Sequence, residues 1–330
     1  ESLSGRITFE GAVGLLWDGR MPDAGRREQL RTALGQARVA AFERLGQLGD
    51  ALSAEDGMDA LRASVAHLRA TRPEAIVAAV AVFAAAWLRT RAREQPVPPR
   101  AEAAHALDFL RMACGQEPTQ AAARALEAYL VTVVDHGMNA STFAARVVTS
   151  TGSDDVSAVV AAIGALKGPL HGGAPGPVLD MLDAVQEPDR AEAWLEAELT
   201  AGRRIMGMGH RIYRTRDPRA AVLERAVEAF GTAGAAAPRL ALARAVERAA
   251  EGVLRQKHPD RPLRANVEFF TAVLLDAVGL PRQAFTPTFA VSRVAGWLAH
   301  AQEQRTTGKL IRPASRYVGP PSVSFAGGLG

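Results

Sequence analysis

Every residue from Ala75 to Leu88 is apolar, an unbroken run of 14 that stops at Arg89, with Arg91 and Arg93 close behind. A membrane-spanning helix needs about 20 such residues, so the run is expected to be a helix buried in the core of a soluble protein. A helix with no polar face must be surrounded by other elements. With 330 residues, 48% of them hydrophobic and 22% charged, the chain can supply them. That length exceeds what one hydrophobic core normally supports, so two unequal domains are the preferred expectation.

Apolar residues recurring at three- and four-residue intervals predict helices over Glu28 to Leu48, Leu61 to Leu68, Glu74 to Arg93, Ala101 to Met112 and Ala121 to Val134. Further helices are expected over Asp155 to Leu166, Val178 to Val185, Arg190 to Ala201, Arg219 to Phe230, Arg239 to Gln256, Asn266 to Val278 and Phe289 to Arg305. Strand signals are nearly absent, so the fold class is mainly α. Proline and glycine punctuate the chain at Gln95 to Pro99, Gly115 to Thr119, Gly168 to Pro177 and Gly279 to Pro281. None of these breaks has the composition of a flexible linker, and no fixed-period repeat suggests a solenoid.

Cys114 is the only cysteine, which excludes an internal disulfide and every paired-cysteine metal or redox motif. No secretion signal stands near the start, and a cytoplasmic location is the expectation. The net charge of +4 comes from scattered basic residues without interleaved aromatics, so nucleic-acid binding is not expected. Only Lys167, Lys257 and Lys309 are lysines, leaving 36 arginines. The planar fork of arginine suits carboxylates and phosphates, although abundance alone also fits a solvated surface.

The GxSxG, HExxH, GxxxxGK[ST] and strand-borne GxGxxG motifs are all missing, which removes the usual entry points to serine hydrolase, zinc protease, P-loop and Rossmann chemistry. Three of the seven histidines instead stand at glycine-rich breaks: His136 in DHGMNAST, His171 in GPLHGGAPG and His210 in MGMGHRIYRTRDPR. Glycines there permit close ligand approach, and three such settings point to a site more than one would.

The blocks GPLHGGAP, GHRIYRTRDPR, NVEFF and FAVSRVAGWLAHAQEQ followed by KLIRPASRYVG resemble, in order and separation, the signature blocks of citrate synthases, across residues 7 to 319. The resemblance implies a helical homodimer acting on oxaloacetate and an acyl-CoA, with no metal or redox cofactor. It places a large domain at residues 1–174 and 291–330 and a small closing domain at 175–290. By similarity, Glu268 is the base, His171 donates to the thioester oxygen and His210 polarises the ketone of oxaloacetate. The carboxylates of oxaloacetate would meet His136, Arg219, Arg293 and, from the neighbouring subunit, Arg312. Coenzyme A would be held by Ile205, Met206, Gly207, Met208 and Gly209, whose backbone wraps the adenine, by Arg214 at its phosphates, and by Asn266. The side chains of Met206 and Met208 are expected to be loop packing. His67, His105, His258 and His300 match no catalytic position and are expected at the surface or as caps.

Most members of the family carry aspartate where this chain has Glu268, followed by tyrosine, serine and glycine where Phe270, Thr271 and Ala272 stand. The chain resembles an actinobacterial-type branch with NVEF at this point. Its base is one methylene longer, and the pocket is expected to be rebuilt around it. The implied reaction is citrate synthesis from acetyl-CoA. The alternatives are 2-methylcitrate synthesis from propionyl-CoA and a noncatalytic paralogue that binds the same ligands.

Overall fold

Small polar residues decide where half of the α-helices begin. The computed structural model describes residues 3–69, 72–172, 175–209, 215–230, 236–260 and 263–319. Thr8, Asp23 and Asp56 each accept a hydrogen bond from a backbone N–H in the first turn of α1 (Phe9–Asp18), α2 (Ala24–Glu43) and α3 (Gly57–Ala66). The core helix α4 (Pro73–Arg91) starts on a proline at its first position and carries Arg89 and Arg91 in its last turn, where cations oppose the helix dipole. After α5 (His105–Cys114), Thr119 caps α6 (Gln120–Val133), Asn139 caps α7 (Ala140–Ser150) and Asp154 caps α8 (Asp155–Lys167). The remaining helices are α9 (Pro175–Val185), α10 (Ala191–Thr200), α11 (Pro218–Phe230), α12 (Ala236–Lys257), α13 (Val267–Ala277) and α14 (Phe285–Thr307). Among the described residues there is no β-strand, and a single isolated bridge pairs Met208 with Ala265.

Helix α4 is the one helix long and apolar enough to cross a membrane among the described residues, yet Ile76 to Leu88 are all buried. Helices α2, α3, α5 and α14 surround it. Helix α14 also crosses the end of α6, and Gly296 makes the crossing possible, because a Cβ there would lie 2.2 Å from the carbonyl oxygen of Val134. This close approach brings Arg293 of α14 to α6, where its Nε donates to the Val133 carbonyl at 2.6 Å.

Several expectations need correction. The helix expected to Leu48 ends at Glu43, and a short 3-10 turn follows at Leu45–Gln47. Helix α5 begins at His105 instead of Ala101, because the buried Arg38 captures the carbonyls of Arg100 and Ala103 and holds that segment as a loop. His105 is not a surface residue: it is fully buried, stacks on Phe9 at 4.9 Å and lies 3.3 Å from Arg38. Burial, reinforced by the charge of Arg38, holds its imidazole well below the ordinary range. His300 is half-buried between Asp135, 3.1 Å away, and Arg146, 3.0 Å away. The Gly168 to Pro177 break is partly helical, since α9 already starts at Pro175. Helices α1 and α7 were not expected at all.

Candidate active site

His171 sits in the turn after α8, its N–H donating to the Gly168 carbonyl at 2.9 Å. The turn aims the ring at the N-terminus of α7, where the Ser141 N–H donates to His171 Nε2 at 3.3 Å. Ser141 Oγ lies 2.9 Å from the same nitrogen, accepts from Trp297 Nε1 at 3.1 Å, and donates to Asn139 Oδ1 at 2.8 Å when its proton is turned that way. A ring nitrogen that accepts a backbone N–H carries no proton, so neutral His171 holds its proton on Nδ1. Burial and then the charge of Arg293 lower its pKa, and the positive end of α7 opposes an imidazolium further. The result is a neutral imidazole whose Nδ1–H is a donor.

Glu268 is the second residue of α13. Asn266 caps that helix, its Oδ1 accepting from the Glu268 N–H at 3.0 Å. The same asparagine donates from Nδ2 to the Gly209 carbonyl and from its backbone N–H to the Gly207 carbonyl, both at 2.9 Å, and the Gly209 N–H returns a bond to Arg264 at 2.7 Å. The 205–209 loop can lie this close because Gly207 and Gly209 take φ of 76° and 87°, and a Cβ on either would come within 2.9 Å of Phe269 or Leu263. The side chains of Ile205 and Met208 are buried and that of Met206 packs against the core, as expected for loop packing.

Two arginines approach from different helices. Arg219, at the start of α11, is clamped by Asp217, with Nε 3.0 Å from Oδ1 and Nη2 2.7 Å from Oδ2. Asp217 also accepts the N–H of Val267 at 3.2 Å, so one carboxylate ties the heads of α11 and α13 together. Arg293 is almost fully buried, lies over the ring of Phe289 at 4.7 Å, and leaves its Nη2 without a partner. Burial lowers its pKa to about 10. Burial raises the Glu268 carboxyl to about 7 against the pull of the Arg219 and Arg293 charges, and Asp217 adds to the rise. Glu268, Arg219, Arg293 and His171 are therefore one electrostatic group.

A family model described as citrate synthase, C-terminal domain, matches residues 1–314. The chain belongs to the citrate synthase family. Putative citrate synthase 2 of Mycobacterium tuberculosis (strain ATCC 25618 / H37Rv) is 49% identical over 204 residues, which cover 62% of this chain and 53% of that protein, so the match spans about half of that relative's length. The 2-methylcitrate synthase of the same strain is 36% identical over 97% of this chain and 82% of that protein. Among solved structures, citrate synthase from Thermotoga maritima MSB8 superposes with a TM-score of 0.84 at 32% identity, covering 98% of this chain and 88% of that one. Citrate synthase from Thermoplasma acidophilum, in ternary complex with carboxymethyl coenzyme A and oxaloacetate, superposes with a TM-score of 0.81 at 26% identity over the same shares. The all-helical fold matches these citrate synthases.

The remaining expected site residues of this citrate synthase family member are less closely gathered. His136 is partly buried in the loop between α6 and α7, next to Asp135, which accepts from His300 Nε2 at 3.1 Å and from the Gly137 N–H at 2.9 Å. Arg312 is exposed on the extended segment after α14. Its neighbour Ile311 donates to Ser150 Oγ at 3.0 Å, at the opposite end of α7 from Ser141 and roughly 14 Å along the helix axis. Within one chain Arg312 therefore does not join the group. His210 and Arg214 lie outside the described residues. Sequence reasoning missed Ser141, Trp297 and Asp217. Ser141 and Asp217 stand inside DHGMNAST and GHRIYRTRDPR, but nothing in those strings marks them apart from their neighbours.

Proposed function

We propose that the chain is an acyltransferase that condenses acetyl-CoA with oxaloacetate and water to give citrate and coenzyme A. The observation that carries this reading is the pairing of a half-buried carboxyl raised to about 7 with a neutral histidine whose free Nδ1–H can donate. A thioester methyl group is a very weak carbon acid, so the base that removes its proton and the donor that meets the growing enolate oxygen must act together. Glu268 takes the proton and its raised pKa makes it a stronger base. His171 Nδ1–H holds the enolate oxygen, His210 polarises the ketone of oxaloacetate, and the new carbon–carbon bond forms between the enolate carbon and the ketone carbon. Water then cleaves the thioester, releasing the thiol.

Arg219, Arg293 and His136 hold the oxaloacetate carboxylates, and Arg312 completes the site from the partner subunit of a homodimer. The 205–209 backbone, Asn266 and Arg214 hold coenzyme A. The large domain comprises residues 1–174 and 291–330, the small domain comprises 175–290 and closes over the substrates, and the enzyme works in the cytoplasm. Support comes from the ternary complex of the Thermoplasma relative with carboxymethyl coenzyme A and oxaloacetate.

The 36% identity with a 2-methylcitrate synthase favours a second reading, in which propionyl-CoA is the thioester. One extra methyl changes the discrimination by only about 1–3 kcal/mol. Purified protein mixed with oxaloacetate and either thioester, followed by release of free thiol, separates the readings. The larger kcat/KM names the substrate, and silence with both overturns the enzyme reading in favour of a noncatalytic binder.

A further inference from the structure

Tyr129 has no part in the mechanism above. It lies on α6 with 1% of its surface exposed, and its hydroxyl makes no hydrogen bond with a described residue. That oxygen is nevertheless not among the sealed, unpartnered polar atoms, so the little surface Tyr129 keeps includes its hydroxyl. A buried phenol without a partner is unusual, because leaving such a group unsatisfied costs free energy that a ligand can recover.

Its surroundings say which ligand. Val133, one helical turn further along the same face of α6, supplies the carbonyl that fixes Arg293 Nε at 2.6 Å. Helices α13 and α14, which carry Glu268 and Arg293, both pack on α6. The partnerless Nη2 of Arg293 and the partnerless hydroxyl of Tyr129 therefore belong to one small region, with Glu268 close by but not hydrogen-bonded to either. Burial, followed by the negative charge of Glu268, lifts the phenol well above its ordinary range, against the opposing charge of Arg293. Tyr129 is thus protonated at every working pH and can donate.

Two donors without partners in one region, one of them a cation, fit the two oxygens of a carboxylate. We propose that Tyr129 binds the keto-acid substrate, its hydroxyl and the Arg293 guanidinium together gripping one carboxylate of oxaloacetate. This assignment rests on the condensation reading, and it deepens that reading by naming a binding residue outside the set the family resemblance implies.

Tyr129→Phe removes one oxygen and leaves the ring packing in place. Calorimetry with oxaloacetate and no thioester is expected to show Kd raised roughly 10- to 100-fold, the loss anticipated for a hydrogen bond to a charged group. In turnover, KM for oxaloacetate rises in step, while acyl-CoA affinity and the pH midpoint of kcat stay put. An oxaloacetate Kd within twofold of wild type overturns the proposal. So does a shifted pH midpoint at unchanged Kd, which would make Tyr129 a tuner of Glu268. If wild type binds oxaloacetate but releases no thiol, the condensation reading fails while the Kd comparison still decides the role of Tyr129. A wild type that binds no oxaloacetate overturns both.

Discussion

Replacing Glu268 by glutamine should abolish condensation and, above neutral pH, make the protein more stable. The carboxyl is raised from an ordinary 4.5 to about 7, chiefly by burial. Between those values the folded protein holds a proton that the unfolded chain has released. Stability contributed by this site therefore falls as pH rises from 4.5 and reaches its full deficit above 7. That deficit is about 3 kcal/mol at pH 8 and below about 1 kcal/mol at pH 5. A neutral isostere escapes it.

Denaturant unfolding at pH 5 and pH 8 should thus show the glutamine variant nearly level with wild type at the lower pH and clearly more stable at the higher one. Activity should fall by the 10²- to 10⁴-fold typical of a lost general base, with oxaloacetate affinity nearly unchanged. A stability difference that does not depend on pH would mean that Glu268 is not the acid of raised pKa described here. Full activity in the variant would refute its assignment as the base. In the wild type, kcat should climb with pH through a midpoint near 7 as Glu268 ionises.

For His171→Ala, turnover should collapse with only modest loss of acyl-CoA affinity, since the Nδ1–H matters most to the developing enolate; equal losses in kinetics and binding assays would mark a binding role instead. Ser141→Ala keeps the backbone donor to Nε2 and removes the hydroxyl, so kcat should drop by roughly 10-fold with KM little changed, as steady-state thiol release would show. Asp108→Ala strands Arg38, which is fully buried and pairs with Asp108 at 2.8 Å; denaturant unfolding should register a loss of about 3–5 kcal/mol.

The unequal legibility of the fold has physical causes. Helix α4 could be read because a run of apolar residues can only be buried. Helix α7 escaped notice because Thr142, Val147, Val148 and Thr149 are β-branched and mask its periodicity, although Asn139 was a visible cap. Helix α1 escaped because Gly11 and Gly14 weaken helical propensity, yet Gly14 is needed where a Cβ would lie 2.8 Å from Pro22. Arg219, Arg293 and Glu268 come from separate strings, and only packing makes them one electrostatic group. Ser141, Trp297 and Tyr129 gain their importance from what faces them across helices, which no local pattern records. His105 looked like a spare histidine for the same reason: its partners Glu10 and Arg38 lie 95 and 67 residues away.

Glu268 does not stand on an independent frame, because the cap of its helix is also bonded to the 205–209 loop. That loop is proposed to hold the coenzyme, and Asn266 bonds both it and the Glu268 N–H. A shift of the α13 head therefore carries that backbone with it, so the spacing between the proposed coenzyme site and Glu268 is held by one hydrogen-bonded ladder. Asp217 extends the ladder to Arg219, so that Arg219 and Glu268 depend on the heads of α11 and α13, and Arg293 on the crossing of α6 by α14. Within such a frame the distances among the groups that the connected body carries stay fixed, so a change of side-chain length at position 268 alters the reach of the carboxyl alone.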